Sequence, residues 1–243
     1  MKILAIDTSG QQASAAIFDS YIGTVVGDIY LNARTGEKSW THSEILLPAI
    51  DNLFTLTGVA KESIDYIAYT SGPGSFTGLR IGASVALGLA RGLKKPSIPV
   101  PTLDALAYNT LGANSTGVVV PMMDARREQV YSAVYKLNNN CITRDTDYLA
   151  LPVEDILNTI KDYKDIYVLG DGACAYRDTI MLAIPHATKL PPNNNRQRAS
   201  SVALCAFDKI SNGFVPPQDV ELLYVRAPQA IQDLKNREMK GTS

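Results

Sequence analysis

Short apolar runs of strand length alternate along the chain with longer stretches in which apolar residues recur every three or four positions. Lys2 to Asp7, Ala13 to Phe18 and Thr24 to Leu31 read as three strands joined by short turns, the first closing on the polar turn Asp7-Thr8-Ser9-Gly10. A polar loop, Asn32 to Trp40, follows. Thr41-His-Ser-Glu44 fits a capping box, in which the threonine hydroxyl accepts from the third helical N–H and the glutamate reaches back. The helix predicted from there to about residue 57 carries Ile45, Leu46, Leu47, Ala49, Ile50, Leu53, Phe54 and Leu56, and Pro48 predicts a bend. Its apolar arc is wider than one stripe facing a core requires, so it is buried on two sides or meets another protein on one.

The apolar run Ile64 to Tyr69 predicts a buried strand, and Thr70 to Ala90 then turns into a helix through Gly72, Gly74 and Gly78. Gly78, Gly82, Ala86 and Ala90, four residues apart, make a stripe with almost no side chain. Two readings stay open: an anion held at the helix start, or close packing of a neighbouring backbone. The helix runs to about Arg91, a strand spans Pro96 to Val100, and a helix spans Thr102 to Asn109 with Thr102 as its cap.

Beyond the linker 112–117 the same order recurs. Val118 to Met123, Gln129 to Lys136 and Ile142 to Leu149 read as strands, followed by a helix from Pro152 to Ile160. A strand from Ile166 to Leu169, a helix from Gly172 to Leu182, a short strand from Ala187 to Leu190 and a helix from Ala199 to Ser211 complete the repeat. The loop 191–198, rich in proline and asparagine, reads as solvent-exposed. Two copies of one element order predict a duplicated α/β fold: a half over 1–111, a half over 112–226 with helix 199–211 packing back on the first, and a flexible tail over 227–243.

Composition narrows the function classes. Of 243 residues, 46% are hydrophobic and 19% charged, and the formal net charge is −1, so no basic excess marks the chain as a nucleic-acid binder in its own right. Lys235, Arg237 and Lys240 are offset by Asp233 and Glu238. No apolar run is long enough to cross a bilayer, and the first residues lack a signal-peptide pattern. Three scattered cysteines without a CxxC pair suit a reducing compartment, so a cytoplasmic protein is expected, with no membrane partner. The two histidines, His42 and His186, stand apart without a ligand cluster, so no metal site is expected. Ser71 and Ser75 do not form a Gly-x-Ser-x-Gly elbow, which argues against a hydrolase triad.

The repeated order resembles the actin, hexokinase and Hsp70 ATPase superfamily (the actin-like or ASKHA, ribonuclease H-like fold), with two lobes of mixed sheet and flanking helices. Ile6-Asp7-Thr8-Ser9, His42-Ser43-Glu44 with Leu46-Leu47-Pro48, and Gly72 to Gly82 resemble the TsaB (YeaZ) family more specifically. So do Asp124 to Arg127 with Val130-Tyr131, Gly170 to Ala173, and Leu223 to Arg226. The resemblance implies a part in making N6-threonylcarbamoyladenosine at position 37 of tRNAs that read codons beginning with adenine. It implies a non-catalytic scaffold that binds the transferase TsaD, with the ATPase TsaE joining through that pair, with tRNA touched only indirectly or weakly, and with no cofactor.

On that resemblance the partner surface is expected on the helices over 41–57 and 79–91, at His42, Glu44, Leu46, Leu47, Ile50, Leu53, Phe54, Arg80, Ala83 and Leu87. Without TsaD the same surface is expected to pair with itself as a homodimer. The paralogue's pair of metal-binding histidines falls here on Thr102 and Leu106, neither able to replace an imidazole. Of the nucleotide loops, Asp7, Thr8 and Ser9 with Gly170 and Gly172 are a candidate vestigial site, whereas Met123 to Glu128 lacks glycine. Asp124 and Glu128 beside Arg126 and Arg127 predict a salt-bridged hairpin, or arginines that touch a partner or a tRNA phosphate. The alternatives are an active small-molecule kinase of the superfamily and, less favoured, a metalloprotease.

Overall fold

The computed structural model of the chain describes residues 1–32, 34–35, 38–112, 116–139 and 141–226, without side-chain detail at 34, 35, 38 and 39. The expected tail 227–243, with Lys235, Arg237 and Lys240, and part of the linker lie outside the described residues.

Strands β1 (Lys2–Asp7), β2 (Gln12–Asp19) and β3 (Thr24–Asn32) form an antiparallel meander. Within the expected polar loop, β4 (Arg34–Thr35) and β5 (Lys38–Ser39) pair as a small ribbon. Helix α1 (His42–Thr57) starts on the capping box expected from its sequence, the Glu44 carboxylate accepting from the Thr41 backbone N–H at 2.6 Å, and ends on Gly58 in the left-handed region. Strand β6 (Tyr66–Gly72), helix α2 (Phe76–Leu93), strand β7 (Ser97–Pro101) and helix α3 (Thr102–Ala107) complete the first half. The sheet order is β3-β2-β1-β6-β7, with β6 and β7 parallel to β1.

The second half repeats this order with different detail. Strand β8 (Thr116–Asp124) is central, and the single strand expected over 129–136 is two, β9 (Gln129–Ser132) and β10 (Tyr135–Asn138). Strand β10 pairs with the start of β8 and β9 with its end. The break falls where the Val134 N–H donates to Thr146 Oγ1 at 3.0 Å and its carbonyl accepts from Asp145 N–H at 2.8 Å, so these groups leave the β8 ladder. For the same reason the strand expected over 142–149 divides into β11 (Cys141–Arg144) and β12 (Leu149–Pro152). Helix α4 (Val153–Ile160), strand β13 (Ile166–Leu169), helices α5 (Asp171–Ala175) and α6 (Arg177–Ala183), strand β14 (Thr188–Lys189) and helix α7 (Ala199–Ser211) follow. Strands β11-β10-β8-β13-β14 reproduce the first sheet's order, with parallel pairing at the same two places.

Each half lends the other a helix. Helices α1 and α2 cover one face of the first sheet through Leu46, Ile50, Leu53, Phe54, Ala83 and Ala86. The other face is covered by α7, whose Ala199, Val202, Ala203 and Ala206 meet Ile3, Ala5, Ala16 and Val100. In exchange α3 puts Leu103, Leu106 and Ala107 against Val119, Met123 and Tyr135 of the second sheet. Asp104 on α3 accepts from the Tyr135 and Tyr148 hydroxyls, each at 2.8 Å, which ties the halves with charge-assisted bonds. Thr102 is not a cap: Pro101 occupies that position, and the Thr102 hydroxyl is buried without a hydrogen-bond partner among the described residues.

Candidate functional site

The parallel strands β1 and β6 end side by side, which sets the turn after β1 against the glycine corner after β6. Asp7 is fully buried at the end of β1. Its Oδ1 accepts from the Ser9 backbone N–H at 2.8 Å and from Ser9 Oγ at 2.7 Å, with Thr70 Oγ1 at 3.4 Å. Its Oδ2 is buried with no hydrogen-bond partner among the described residues. Burial pushes the Asp7 carboxyl above the usual carboxylate range, and the bonds from Ser9 and Thr70 only partly oppose this.

The glycine corner is occupied by the chain itself. A Cβ at Gly78 would overlap the Thr8 carbonyl oxygen, one at Gly82 the Thr8 hydroxyl, and one at Gly74 the Ser9 carbonyl. Thr8 Oγ1 donates to the Gly78 carbonyl at 2.7 Å, and the Ser75 N–H donates to the Ser9 carbonyl at 2.7 Å. The Gly78 N–H donates to Ser75 Oγ at 3.2 Å, so that serine caps α2. Close packing of a neighbouring backbone, one of the two readings open in the sequence, is present at these glycines.

Residues 221–226, marked in the sequence only as a motif, cross the corner as a strap. The Leu223 N–H donates to the Ser71 carbonyl at 2.7 Å, and the Leu223 carbonyl lies where a Gly72 side chain would stand. The Tyr224 ring lies 5.9 Å from that of Phe76, over which the Arg80 guanidinium sits at 3.7 Å. The strap ends on the second half, where Arg226 donates to the Ala125 carbonyl at 2.9 Å.

In the second half Gly170 and Gly172 play the part of the first corner's glycines. Gly170 has φ of 104°, and a Cβ there would overlap the Met122 carbonyl oxygen. Its N–H donates to Asn195 Oδ1 at 2.7 Å. The turn after β8 differs from its counterpart: Arg126, Arg127 and Glu128 have φ of 60°, 54° and 60°, three successive non-glycine residues in the left-handed region. The expected salt-bridged hairpin does not form. Asp124 Oδ1 accepts from the Arg126 backbone N–H at 2.8 Å, and among the described residues no carboxylate lies within ion-pair distance of either arginine. Beside this turn lies a groove of about 440 Å³ lined by Arg127, Gln129, Ala150, Val225 and Arg226, which the sequence alone did not bring together.

The loop 191–198 is exposed at Pro191, Pro192, Asn193 and Arg196, as its composition suggests, but it is anchored between them. Asn109 Nδ2 donates to the carbonyls of Asn194 and Arg196 at 2.9 and 2.8 Å, while Asn195 and Gln197 are buried. Gln197 meets Gln12 at 3.3 Å, so the loop links the first turn to the Gly170 corner through Asn195.

The expected partner surface divides in two. Leu46, Ile50, Leu53, Phe54 and Ala83 are core residues of the first half, so they hold the helices on the sheet and cannot themselves meet a partner. Glu44, Leu47 and Arg80 are exposed, and His42 and Leu87 are half-buried. His42 Nε2 lies 3.1 Å from the Gln12 carbonyl, which fixes the start of α1 beside the first turn. Sequence reasoning left out Leu56 and Phe76, large apolar side chains exposed at 81% and 43% against 52% for Leu47. The helical period brought Leu56 into the apolar arc but could not tell which side of that arc the sheet covers. Among the described residues no three or more His, Cys, Asp or Glu side chains gather as a metal would require, and no helix is long and apolar enough to cross a membrane.

Residues 37–205 match the family model described as TsaD, tRNA N6-adenosine threonylcarbamoyltransferase. The tRNA threonylcarbamoyladenosine biosynthesis protein TsaB of Escherichia coli (strain K12) is 38% identical over 142 residues, 58% of this chain and 58% of that protein. The protein of the same name from Bacillus subtilis (strain 168) is 33% identical over 181 residues, 74% of this chain and 75% of its own length. The match thus spans little more than half of the first relative and three quarters of the second. Among solved structures, YeaZ from Pseudomonas aeruginosa superposes with a TM-score of 0.73 at 26% identity, covering 92% of this chain and 99% of that one. A ROK hexokinase from Thermus thermophilus, at 13% identity and a TM-score of 0.50 over 88% of this chain and all of its own, shares the actin-like fold alone.

Proposed function

This chain belongs to the TsaB (YeaZ) family, and from that premise we propose that it is the scaffold and activating subunit of the assembly that forms N6-threonylcarbamoyladenosine at position 37 of tRNA. In this reading it carries no catalytic group of its own. It holds the transferase TsaD, and TsaE joins through that pair. The observation that supports the reading is on α3, where Thr102 and Leu106, both buried and neither able to replace an imidazole, stand at the positions of the paralogue's metal-binding histidines. In this reading the Asp7 turn, packed on the glycine corner, serves the fold.

The surface best suited to the partner is the exposed side of α1 and α2. Leu47, Leu56 and Phe76 supply apolar area, and His42, Glu44, Arg80 and Leu87 frame it. Exposed large side chains on two helices that already bury their opposite sides gain from cover. In the absence of TsaD the same surface pairs two copies of this chain. Co-purification with TsaD tests the assignment: Leu47→Asp, at an exposed position, is expected to remove the complex while leaving the thermal midpoint of the isolated chain unchanged. A variant that still recovers TsaD at full strength would place the interface elsewhere.

A further inference from the structure

We infer that the groove between the left-handed turn and the strap is an anion site that takes a phosphate group carried on a larger body. Arg127 enters it from the turn and Arg226 from the end of the strap, with Gln129 as a further polar group and Ala150 and Val225 as apolar wall. Two arginines line one groove, and among the described residues neither has a carboxylate within ion-pair distance. The planar fork of a guanidinium matches the oxygens of a phosphate group.

Arg226 is held by a backbone carbonyl that leaves donors over, and Arg127 is exposed on the turn. One Arg226 nitrogen is committed to the Ala125 carbonyl, which fixes the head group at the turn's base. The turn is closed by the Ala125 N–H to the Gln129 carbonyl at 3.0 Å and by the Gln129 N–H to the Arg126 carbonyl at 3.2 Å. Three consecutive left-handed residues that are not glycine are costly, and such strain gathers at ligand sites. A glycine turn would be easier to form, but it would not bring a guanidinium to the groove.

A phosphate on a nucleoside reaches such a groove from two sources, a free mononucleotide or a nucleotide within an RNA chain. The test uses the isolated full chain and so does not depend on the partner reading above. Adenosine 5′-monophosphate is titrated by calorimetry, and bulk tRNA by filter binding over a range of salt, against the wild type, Arg127→Gln and Arg226→Gln. Arg127 is exposed and makes no bond that supports the fold, so Arg127→Gln keeps the test valid if loss of the Arg226 bond loosens the strap. Loss of about tenfold or more in mononucleotide affinity in Arg127→Gln assigns the groove to a free nucleotide. A similar loss for tRNA, with the salt slope reduced by about one, assigns it to an RNA phosphate. Either result supports the site. It is overturned if neither probe binds the wild type below about 1 mM, or if Arg127→Gln binds both as the wild type does.

Discussion

The two corners of the molecule are built on one plan and differ in what they expose. In the first, the turn after β1 presses its Thr8 and Ser9 carbonyls onto Gly74 and Gly78; in the second, the end of β8 presses Met122 onto Gly170 and Gly172. Both rely on a backbone too close for any side chain, so the glycines follow from the fold and carry no information about ligands. The turns themselves are free of that constraint and have diverged. One buries a carboxylate, Asp7, and the other holds Arg126, Arg127 and Glu128 exposed in a left-handed turn. What the pair teaches is that a glycine-rich corner here reports packing, while chemistry must be sought in the side chains of the turns.

The largest effect should come from breaking the shared plan. Gly170→Ala meets the Met122 carbonyl and an unfavourable φ together, and Gly78→Ala meets the Thr8 carbonyl. Each should cost about 3 kcal/mol or more, read as a shift in the urea midpoint. Equal midpoints for Gly170→Ala and the wild type would remove the argument from close approach.

Next comes Asp7, the carboxylate fully buried in the first corner. As pH rises through the ordinary carboxylate range, the unfolded chain releases the Asp7 proton before the folded one does. Stability therefore falls on this account until the folded carboxyl ionises too. Asp7→Asn removes that slope. Thermal midpoints from pH 3 to pH 8 should show the variant above the wild type at neutral pH, with the gap closing toward acid. A gap that widens toward acid would mean that the carboxylate is stabilised by its surroundings and not burdened by burial.

The smallest effect sharpens the contrast from within a single helix. Gly88 lies on α2, as do Gly78 and Gly82, but a Cβ there meets nothing within 4 Å. Gly88→Ala should stabilise by about 0.5–1 kcal/mol, opposite in sign to Gly78→Ala. Destabilisation at Gly88 would show that the helix tolerates no added side chain on either face.

The sequence made the fold legible because apolar periodicity and turn residues repeat in both halves. The element order of the two halves follows from that repetition, and the capping box at Thr41 and Glu44 from its local sequence. The breaks at Val134 and near Thr146 were not legible, because they depend on bonds between segments rather than on local propensity. The site was legible only in part. Asp7, Gly170 and Gly172 were singled out, yet periodicity could not show that α1 buries Leu46, Ile50, Leu53 and Phe54 and leaves Leu47 and Leu56 outside. Nor could it show that Arg226, about a hundred residues from Arg127, ends in the same groove. Proline and asparagine in 191–198 suggested exposure, which holds at four positions, but not the bonds from Asn109 or the burial of Asn195 and Gln197.

The central claim, as proposed above, is that this chain works by holding TsaD through the exposed side of α1 while its Asp7 turn serves only the fold. Reconstituted formation of N6-threonylcarbamoyladenosine on tRNA, with TsaD and TsaE supplied and this chain added as wild type, Asp7→Asn or Leu47→Asp, tests it most directly. The account predicts wild-type yield with Asp7→Asn and background yield with Leu47→Asp. Full yield with Leu47→Asp and none with Asp7→Asn would contradict it.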